Sequence, residues 1–247
     1  MEEQFSNNLL LTLRPQDRKL LEPSLETVVL STGTLLFEAG DDVEFVHFPC
    51  GPTLASFSVT LENGAPVETA LIGREGAMGG IVSQGRLPAY ARAVVRMGGP
   101  FLRIPCMRLE AAKERSAPLR NVFARYADCL LAQVFQSVAC NAVHGIEART
   151  AKWLLAALDR TGSPEVELTQ EQLAGMLGVG RTYVSRVLRD LRGAGVVATR
   201  RGRLVIQDPK ALHATSCHCN EALKRHFQEV LSGVYPSAEE SQAMRRA

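Results

Sequence analysis

The sequence predicts an α+β protein made of an N-terminal antiparallel β-roll, one long helix and a C-terminal winged helix-turn-helix. Three observations carry that reading. Between residues 28 and 105, about eight short apolar runs are separated by turn residues, as in a compact antiparallel barrel or roll. From Pro118 to about Asn141 no glycine or internal proline interrupts the chain, so a single helix should run through it. From Leu168 to Val197, two short amphipathic stretches flank Gly178, the spacing of two helices joined by a sharp turn.

The chain has 247 residues, enough for one large or two modest domains. The expected division is a roll with a short N-terminal helix over 1–115, the long helix over 116–142, the winged domain over 143–211 and a helical tail over 212–247. A hydrophobic content of 46% with 22% charged residues excludes a disordered chain. No run approaches the roughly 18 apolar residues of a membrane span, and MEEQFSNNLLLTLRPQDRK starts with acids, which makes a poor signal peptide. The expectation is a cytoplasmic protein with no membrane partner. It is also not an enzyme on this reading, because the chain lacks a phosphate loop, a Gly-x-Ser-x-Gly elbow and a His-Glu-x-x-His pair.

Taken in order, LRPQDRKLLEP reads as a short helix with Pro15 in its first turn and Pro23 as its stop. Ala55, Phe57, Val59 and Leu61 alternate with polar residues up to Asn63-Gly64, a type I′ turn signal, after which Val67, Thr69 and Leu71 continue the alternation. In the long helix, Leu119, Phe123, Tyr126, Leu130, Gln133 and Ser137 recur at steps of four and three. That is the spacing of a coiled-coil seam, and Val122, Cys129, Leu131 and Val134 widen it. The chain's own sheet could take one face, and the widened stripe leaves enough for the same helix of a second copy, the alternative being a core helix packed only within its own chain. After His144-Gly145, the residues Ile146, Thr150, Trp153, Leu154, Ala157 and Leu158 share one face of another helix, ended by Thr161-Gly162-Ser163-Pro164. Beyond Gly195, VVATRRGRLVIQ reads as a two-stranded wing with arginines at its tip. The tail offers a helix start at Pro209, an amphipathic segment around Leu223, Phe227, Val230 and Leu231, and a polar end.

The helix-turn-helix also carries the chemistry. Thr169 with Gln172 supplies a capping box, and Ala174 is small where the helices would cross. Val184, Val187, Leu188 and Leu191 turn inward, which leaves Arg181, Thr182, Ser185, Arg186 and Arg189 on the outer face. Such a face suits the major groove of DNA. Net charge is only +2, yet from Arg181 to Arg203 seven arginines meet one acid, Asp190. A field of that sign attracts phosphate. Arg181 and Arg186 are the candidates for base readout, Thr182 and Ser185 for adjusting it, and Arg189, Arg200, Arg201 and Arg203 for phosphate or solvent. Thr169, at the start of the first helix, completes the candidate interface.

A roll, a long helix and a winged helix-turn-helix in this order resemble the Crp/Fnr family of bacterial transcription regulators over nearly the full length. The specific part is LTQEQLAGMLGVGRTYVSRVLRDLRGAGVV, which is similar to the family signature of an arginine opening the recognition helix and a second one five residues later. The resemblance implies that Arg181 and Arg186 read guanine edges. It also implies a homodimer on a pseudo-palindromic site, held by a long dimerisation helix, and is compatible with contact to RNA polymerase. Where the family's catabolite activator type has a glutamate after the first arginine, this chain has Thr182, so its half-site should differ there. Gly180 stands where a serine cap is usual.

The resemblance makes the roll cyclic-nucleotide-binding-like, but its cassette departs from the family pattern. Gly76-Ala77 and Leu87-Pro88 fall where a Gly-Glu pair and an Arg-Ser or Arg-Thr pair would hold ribose and cyclic phosphate. Glu75 and Arg86 are each one residue away, so a register shift would partly restore the site, for which Gly73, Glu75, Gly76, Ala77, Arg86, Leu87 and Pro88 are the candidates. Without those charges in place, conventional cyclic AMP binding is not expected. The roll is then a dimer scaffold or a pocket for another ligand, with a nucleotide- or redox-responsive regulator, or a subunit acting on a protein partner, as the alternatives.

The six cysteines are scattered at 50, 106, 129, 140, 217 and 219, which argues for reduced thiols rather than a disulfide framework. Cys217-His218-Cys219 with His226 offers four soft ligands, but the spacing matches no standard zinc knuckle. Thiols packed beneath the tail helix are the preferred reading, with no metal and no cofactor. No cysteine precedes Cys50, against the N-terminal iron–sulfur cluster of the family's oxygen sensors. Cys50 itself reads as an incidental small residue before a redox-sensitive thiol.

Overall fold

The computed structural model describes residues 7–62, 64–81, 88–200 and 203–235. Two short helices open it, α1 (Asn8–Leu11) and α2 (Pro15–Leu21), the second with Pro15 in its first turn. Asn7 caps α1 and its side-chain amide donates to Pro49 O and Gly76 O, both at 2.9 Å, which ties the start of the chain to the roll.

The roll contains seven strands among the described residues, where about eight were expected from turn signals. They are β1 (Glu26–Leu30), β2 (Leu35–Phe37), β3 (Phe45–Pro49), β4 (Leu54–Thr60), β5 (Pro66–Ile72), β6 (Arg92–Met97) and β7 (Gly99–Pro105). They form two antiparallel sheets, ordered β1-β7-β3 and β2-β6-β4-β5. Phe37, Ala55, Ile72, Met78, Val95 and Phe101 fill the space between them. The β4–β5 hairpin forms with Ala55 opposite Ile72 and Thr60 opposite Pro66. Its connection is not the two-residue type I′ turn that Asn63-Gly64 suggests. Leu61 pairs with Ala65, Gly64 N donates to Leu61 O at 2.9 Å, and Gly64 takes φ 79°, so the loop is one residue longer and ends on a left-handed glycine. Asn63 lies outside the described residues.

Next come α3 (Cys106–Arg115) and the long helix α4 (Ala117–Val143), capped by Ser116, whose hydroxyl accepts from Leu119 N. The seam expected on α4 needs correction. Leu119, Phe123, Tyr126 and Gln133 are buried within the chain itself, against Leu9, Phe48 and the roll, and Leu130 is half-buried. Besides Val143 at the helix end, the large apolar residues left to solvent are Leu131, Val134, Phe135 and Val138, at 50%, 37%, 64% and 65% exposure. Their i, i+3, i+4, i+7 spacing makes a separate stripe. The helix has two apolar faces, and the larger serves its own core.

The C-terminal half comprises α5 (Ile146–Thr161), β8 (Glu165–Val166), α6 (Gln170–Leu177), α7 (Arg181–Gly193), β9 (Val197–Arg200) and β10 (Arg203–Ile206), then α8 (Pro209–Thr215) and α9 (Cys219–Val230). The three strands form one antiparallel sheet in the order β8-β10-β9. Thr150, Trp153, Leu154 and Ala157 of α5 are buried as their spacing predicts, and Gly162 ends the helix in the left-handed region. The tail is no loose end as far as Tyr235. Leu223, Phe227, Leu231, Val234 and Tyr235 join the same core as Leu9, Phe48 and Tyr126, so the C-terminal segment closes over the N-terminal one. No described helix is long and apolar enough to cross a membrane.

Candidate nucleic-acid interface

The α6–α7 pair is built almost entirely from local signals. Thr169 Oγ1 accepts from Gln172 N at 3.1 Å, and Gln172 Oε1 accepts from Thr169 N at 2.7 Å, completing the capping box. Gly178 ends α6 at φ 66°, where a side chain would be strained, and Val179 N returns to Ala174 O at 3.0 Å. Ala174 is buried at the crossing, and Val184, Val187, Leu188 and Leu191 bury the inner face of α7 with Leu173 and Leu177. Gly180 caps α7 without a side-chain hydrogen bond, at a cost of about a few tenths of a kcal/mol.

Arg181, Thr182, Arg186 and Arg189 are all exposed on the outer face of α7. Ser185 is half-buried, and its hydroxyl donates to Gln170 Oε1 at 2.7 Å, which fixes α7 to the start of α6. Tyr183 is 56% exposed on the same outer face, with the Arg186 guanidinium 5.8 Å from its ring centroid. In the sequence nothing separates an exposed aromatic between Thr182 and Val184 from a core one, so its place on this face is visible only in the structure. The stack holds the Arg186 head group near one orientation.

In the wing, Arg200 and Arg203 face each other across β9 and β10, and both are exposed. Arg201 lies outside the described residues. Arg203 pairs with Glu165 at 3.1 Å and with Glu167, so its charge is answered within the domain. Arg192 donates to Thr199 Oγ1 at 3.3 Å and so belongs to the wing's own framework. Arg189 lies 3.7 Å from Asp190 in an exposed pair, so among the described residues of α7 and the wing the arginines with neither an ion pair nor a side-chain hydrogen bond are Arg181, Arg186 and Arg200.

The candidate effector residues have a different environment. Glu75 is buried, where its carboxylate accepts from Gly73 N at 3.1 Å and from Arg160 Nε at 3.0 Å. Arg160 comes from α5, is itself buried, and also donates to Leu71 O at 3.0 Å. Ala77 is equally engaged, because Tyr126 Oη accepts from its N–H and donates to its carbonyl, each at 2.8 Å. A side chain at Gly76 would collide with that same hydroxyl. Pro88 is exposed and bridges to Asp42, while Arg86 and Leu87 lie outside the described residues. Glu75 is therefore spent on holding the winged domain to the roll.

The same boundary carries a further polar tie. Trp153 Nε1 of α5 donates to Glu68 Oε1 of β5 at 2.7 Å across it, while within the winged domain Arg149 Nη2 of α5 donates to Leu177 O of α6 at 2.6 Å. Burial raises the Glu68 carboxyl above its ordinary value, against the opposing pull of Arg96 and the Trp153 hydrogen bond. Cys50 is fully buried and burial pushes its thiol up to about 11, which disfavours the reactive thiolate. Of the histidines read with Cys217 and Cys219, His226 instead pairs with Asp128 at 3.1 Å, and His218 stacks edge-on against His213.

Residues 148–215 match the family described as Crp-like helix-turn-helix domain. The fold is similar to FixK2 from Bradyrhizobium japonicum, with a TM-score of 0.66 and 15% identity over 78% of this chain and 98% of that one. It is similar to a CRP-family transcriptional regulator from Thermus thermophilus, with a TM-score of 0.64 and 19% identity over 76% and 96% of the two chains. A third neighbour is a candidate Crp/Fnr-family regulator from Eubacterium rectale, with a TM-score of 0.60 and 21% identity over 88% and 97%. No curated protein sequence matches the chain. Residues 148–215 are a Crp-like helix-turn-helix domain, carried by a chain with the fold of the Crp/Fnr transcription regulators.

Proposed function

We propose that this chain is a homodimeric, sequence-specific DNA-binding transcription regulator whose roll does not take cyclic AMP in the conventional way. The observation that carries the reading is the outer face of α7, where Arg181, Thr182, Arg186 and Arg189 stand exposed above a buried apolar face. A guanidinium donates two hydrogen bonds to O6 and N7 of guanine, a contact worth about 1–3 kcal/mol of discrimination. Arg181 and Arg186 are the readers, with Thr182 and Tyr183 beside them. Ser185 acts by holding α7 in place, and Thr169 by capping α6. Arg189, Arg200 and Arg201 serve phosphate.

The exposed stripe of Leu131, Val134, Phe135 and Val138 supports dimerisation through α4. Two copies joined there would each present one recognition helix to successive major grooves about one helical turn apart. In that arrangement residues 1–115 form the roll, 116–142 the dimer helix, 143–211 the reader and 212–247 the closing tail. The engagement of Glu75 by Arg160 supports the absence of a conventional nucleotide site, since a ribose hydroxyl would have to displace a buried guanidinium.

The test is quantitative binding to DNA from the chain's own promoter region, with and without cyclic AMP, cyclic GMP, cyclic di-GMP, oxidant and reductant. Salt-dependent, sequence-selective binding that is weakened and less selective in Arg181→Ala and Arg186→Ala is expected. Unchanged affinity in both variants would sink the regulator reading, and a low-micromolar response to cyclic AMP would overturn the reading of Glu75.

A further inference from the structure

Four soft ligands from segments far apart in sequence converge at the junction of the long helix and the winged domain. Cys140 lies in the last turn of α4 and His144 is its C-terminal cap, one turn apart and so on one face. Cys217 lies in the turn after α8, and Cys219, across His218, is the first residue of α9. One donor atom from each of the four lies within 4.8 Å of all the others. Cys140 Sγ is 3.7 Å from Cys217 Sγ, and Cys219 Sγ is 3.6 Å from His144 Nδ1. All three cysteines are buried and the histidine half-buried.

We infer that Cys140, His144, Cys217 and Cys219 form a structural zinc site. A tetrahedral ion with Zn–S bonds of about 2.3 Å spaces its donors about 3.8 Å apart. Two of the observed edges match that length, and none exceeds it by more than about 1 Å. Ordinary packing explains the cluster poorly, because the apolar residue that packs against the three sulfurs is Ala148, among the described residues. A disulfide would bring two sulfurs to about 2.05 Å and leave the third thiol and the imidazole unexplained. An iron–sulfur cluster distributes its thiolates over several irons, whereas these donors are gathered around a single point.

The binding step balances without a co-reactant. Zn2+ takes three thiolates and the neutral imidazole lone pair at Nδ1, and three thiol protons leave to solvent. Four protein donors close the coordination sphere, which marks a structural rather than a catalytic ion. Its place gives it a consequence. The ion would fasten the α8–α9 turn to His144, next to Gly145, the N-cap of α5, and so brace the connection through which the long helix carries the winged domain.

The experiment uses the full chain purified without a polyhistidine tag. Elemental analysis should find one zinc per chain, and cobalt exchanged into the site should show thiolate charge-transfer and tetrahedral d–d bands. Cys140→Ser and Cys217→Ser should drop zinc to near zero, while Cys106→Ser keeps it. Should the serine variants fail to fold, His144→Cys separates the readings, because four thiolates should retain zinc and shift the cobalt spectrum toward an all-sulfur site. Protein that carries no zinc and takes none up in titration would overturn the inference. So would iron with equivalent sulfide, or an intact mass showing a Cys140–Cys217 disulfide.

Discussion

Arg160 of α5 lies 3.0 Å from Glu75 of the roll, with 1% of either side chain exposed. A charge pair this deeply buried costs much in desolvation and repays it only with further hydrogen bonds. Those are present, since the guanidinium also reaches Leu71 O and Ala156 O, the carboxylate accepts from Gly73 N, and the Tyr235 ring lies 5.9 Å from the cation. Removing one partner strands the other. Arg160→Met and Glu75→Gln should each cost about 3–5 kcal/mol in urea unfolding, and the double variant clearly less than the sum. Simple additivity would show that the two groups are not coupled.

His47 on β3 gives the fold an acid-sensitive point. Burial lowers its imidazole to about 4, helped by the charge of Arg103, while the hydrogen bond with the Phe45 backbone opposes the shift. In the unfolded chain it titrates near 6.5, so below that pH the unfolded state binds the proton first. The stability from keeping it neutral is complete above about 6.5 and is lost progressively as pH falls toward 4, a loss of up to about 3 kcal/mol. Unfolding curves from pH 7 to pH 4 should show that loss, and His47→Gln should flatten it relative to the parent. An identical slope in the variant would assign the acid sensitivity elsewhere.

The stripe on α4 predicts an assembly. Phe135→Glu places a charge at the most apolar exposed position of the middle of the helix without touching the buried face that holds the roll. Sedimentation should then show a monomer with an unchanged circular dichroism spectrum, and DNA affinity should fall by about a hundredfold or more as the second half-site contact is lost. A dimer that survives Phe135→Glu and Val138→Glu together would move the interface off α4.

What the sequence made legible divides along the range of the interactions. The helix-turn-helix follows from residues within about ten positions of each other, where period, cap and turn glycine agree. The α4 helix was equally plain as a helix, but its partner was not. Leu119, Phe123 and Tyr126 have the period of a seam whether they meet a second copy or their own roll, and only the tertiary fold decides. Arg160 was hidden for a related reason, since an arginine near a helix end reads as solvated until Glu75, 85 residues away, is seen beside it. Cys140 and Cys217 are separated by 77 positions, so the cysteine cluster had no spacing to recognise, and His226 drew attention in place of His144.

The arginines of the winged domain should sort by what already answers their charge. Among the described residues no carboxylate forms an ion pair with Arg181 or Arg186, and Arg186 is steadied by the Tyr183 ring, so alanine there should cost about 1–3 kcal/mol and relax preference at one base pair each. Tyr183→Ala should reproduce part of the Arg186 loss by freeing its head group. Arg200→Ala should weaken every sequence alike and lower the salt slope by about one. Arg203 is already paired with Glu165 and Glu167, so Arg203→Ala should leave affinity and salt slope nearly unchanged and register instead as a small loss of stability. Competition binding against single-base variants of the operator, repeated over a range of salt, separates these outcomes. A change in base preference on removing Arg200 would contradict the division, as would a full salt-slope loss on removing Arg203.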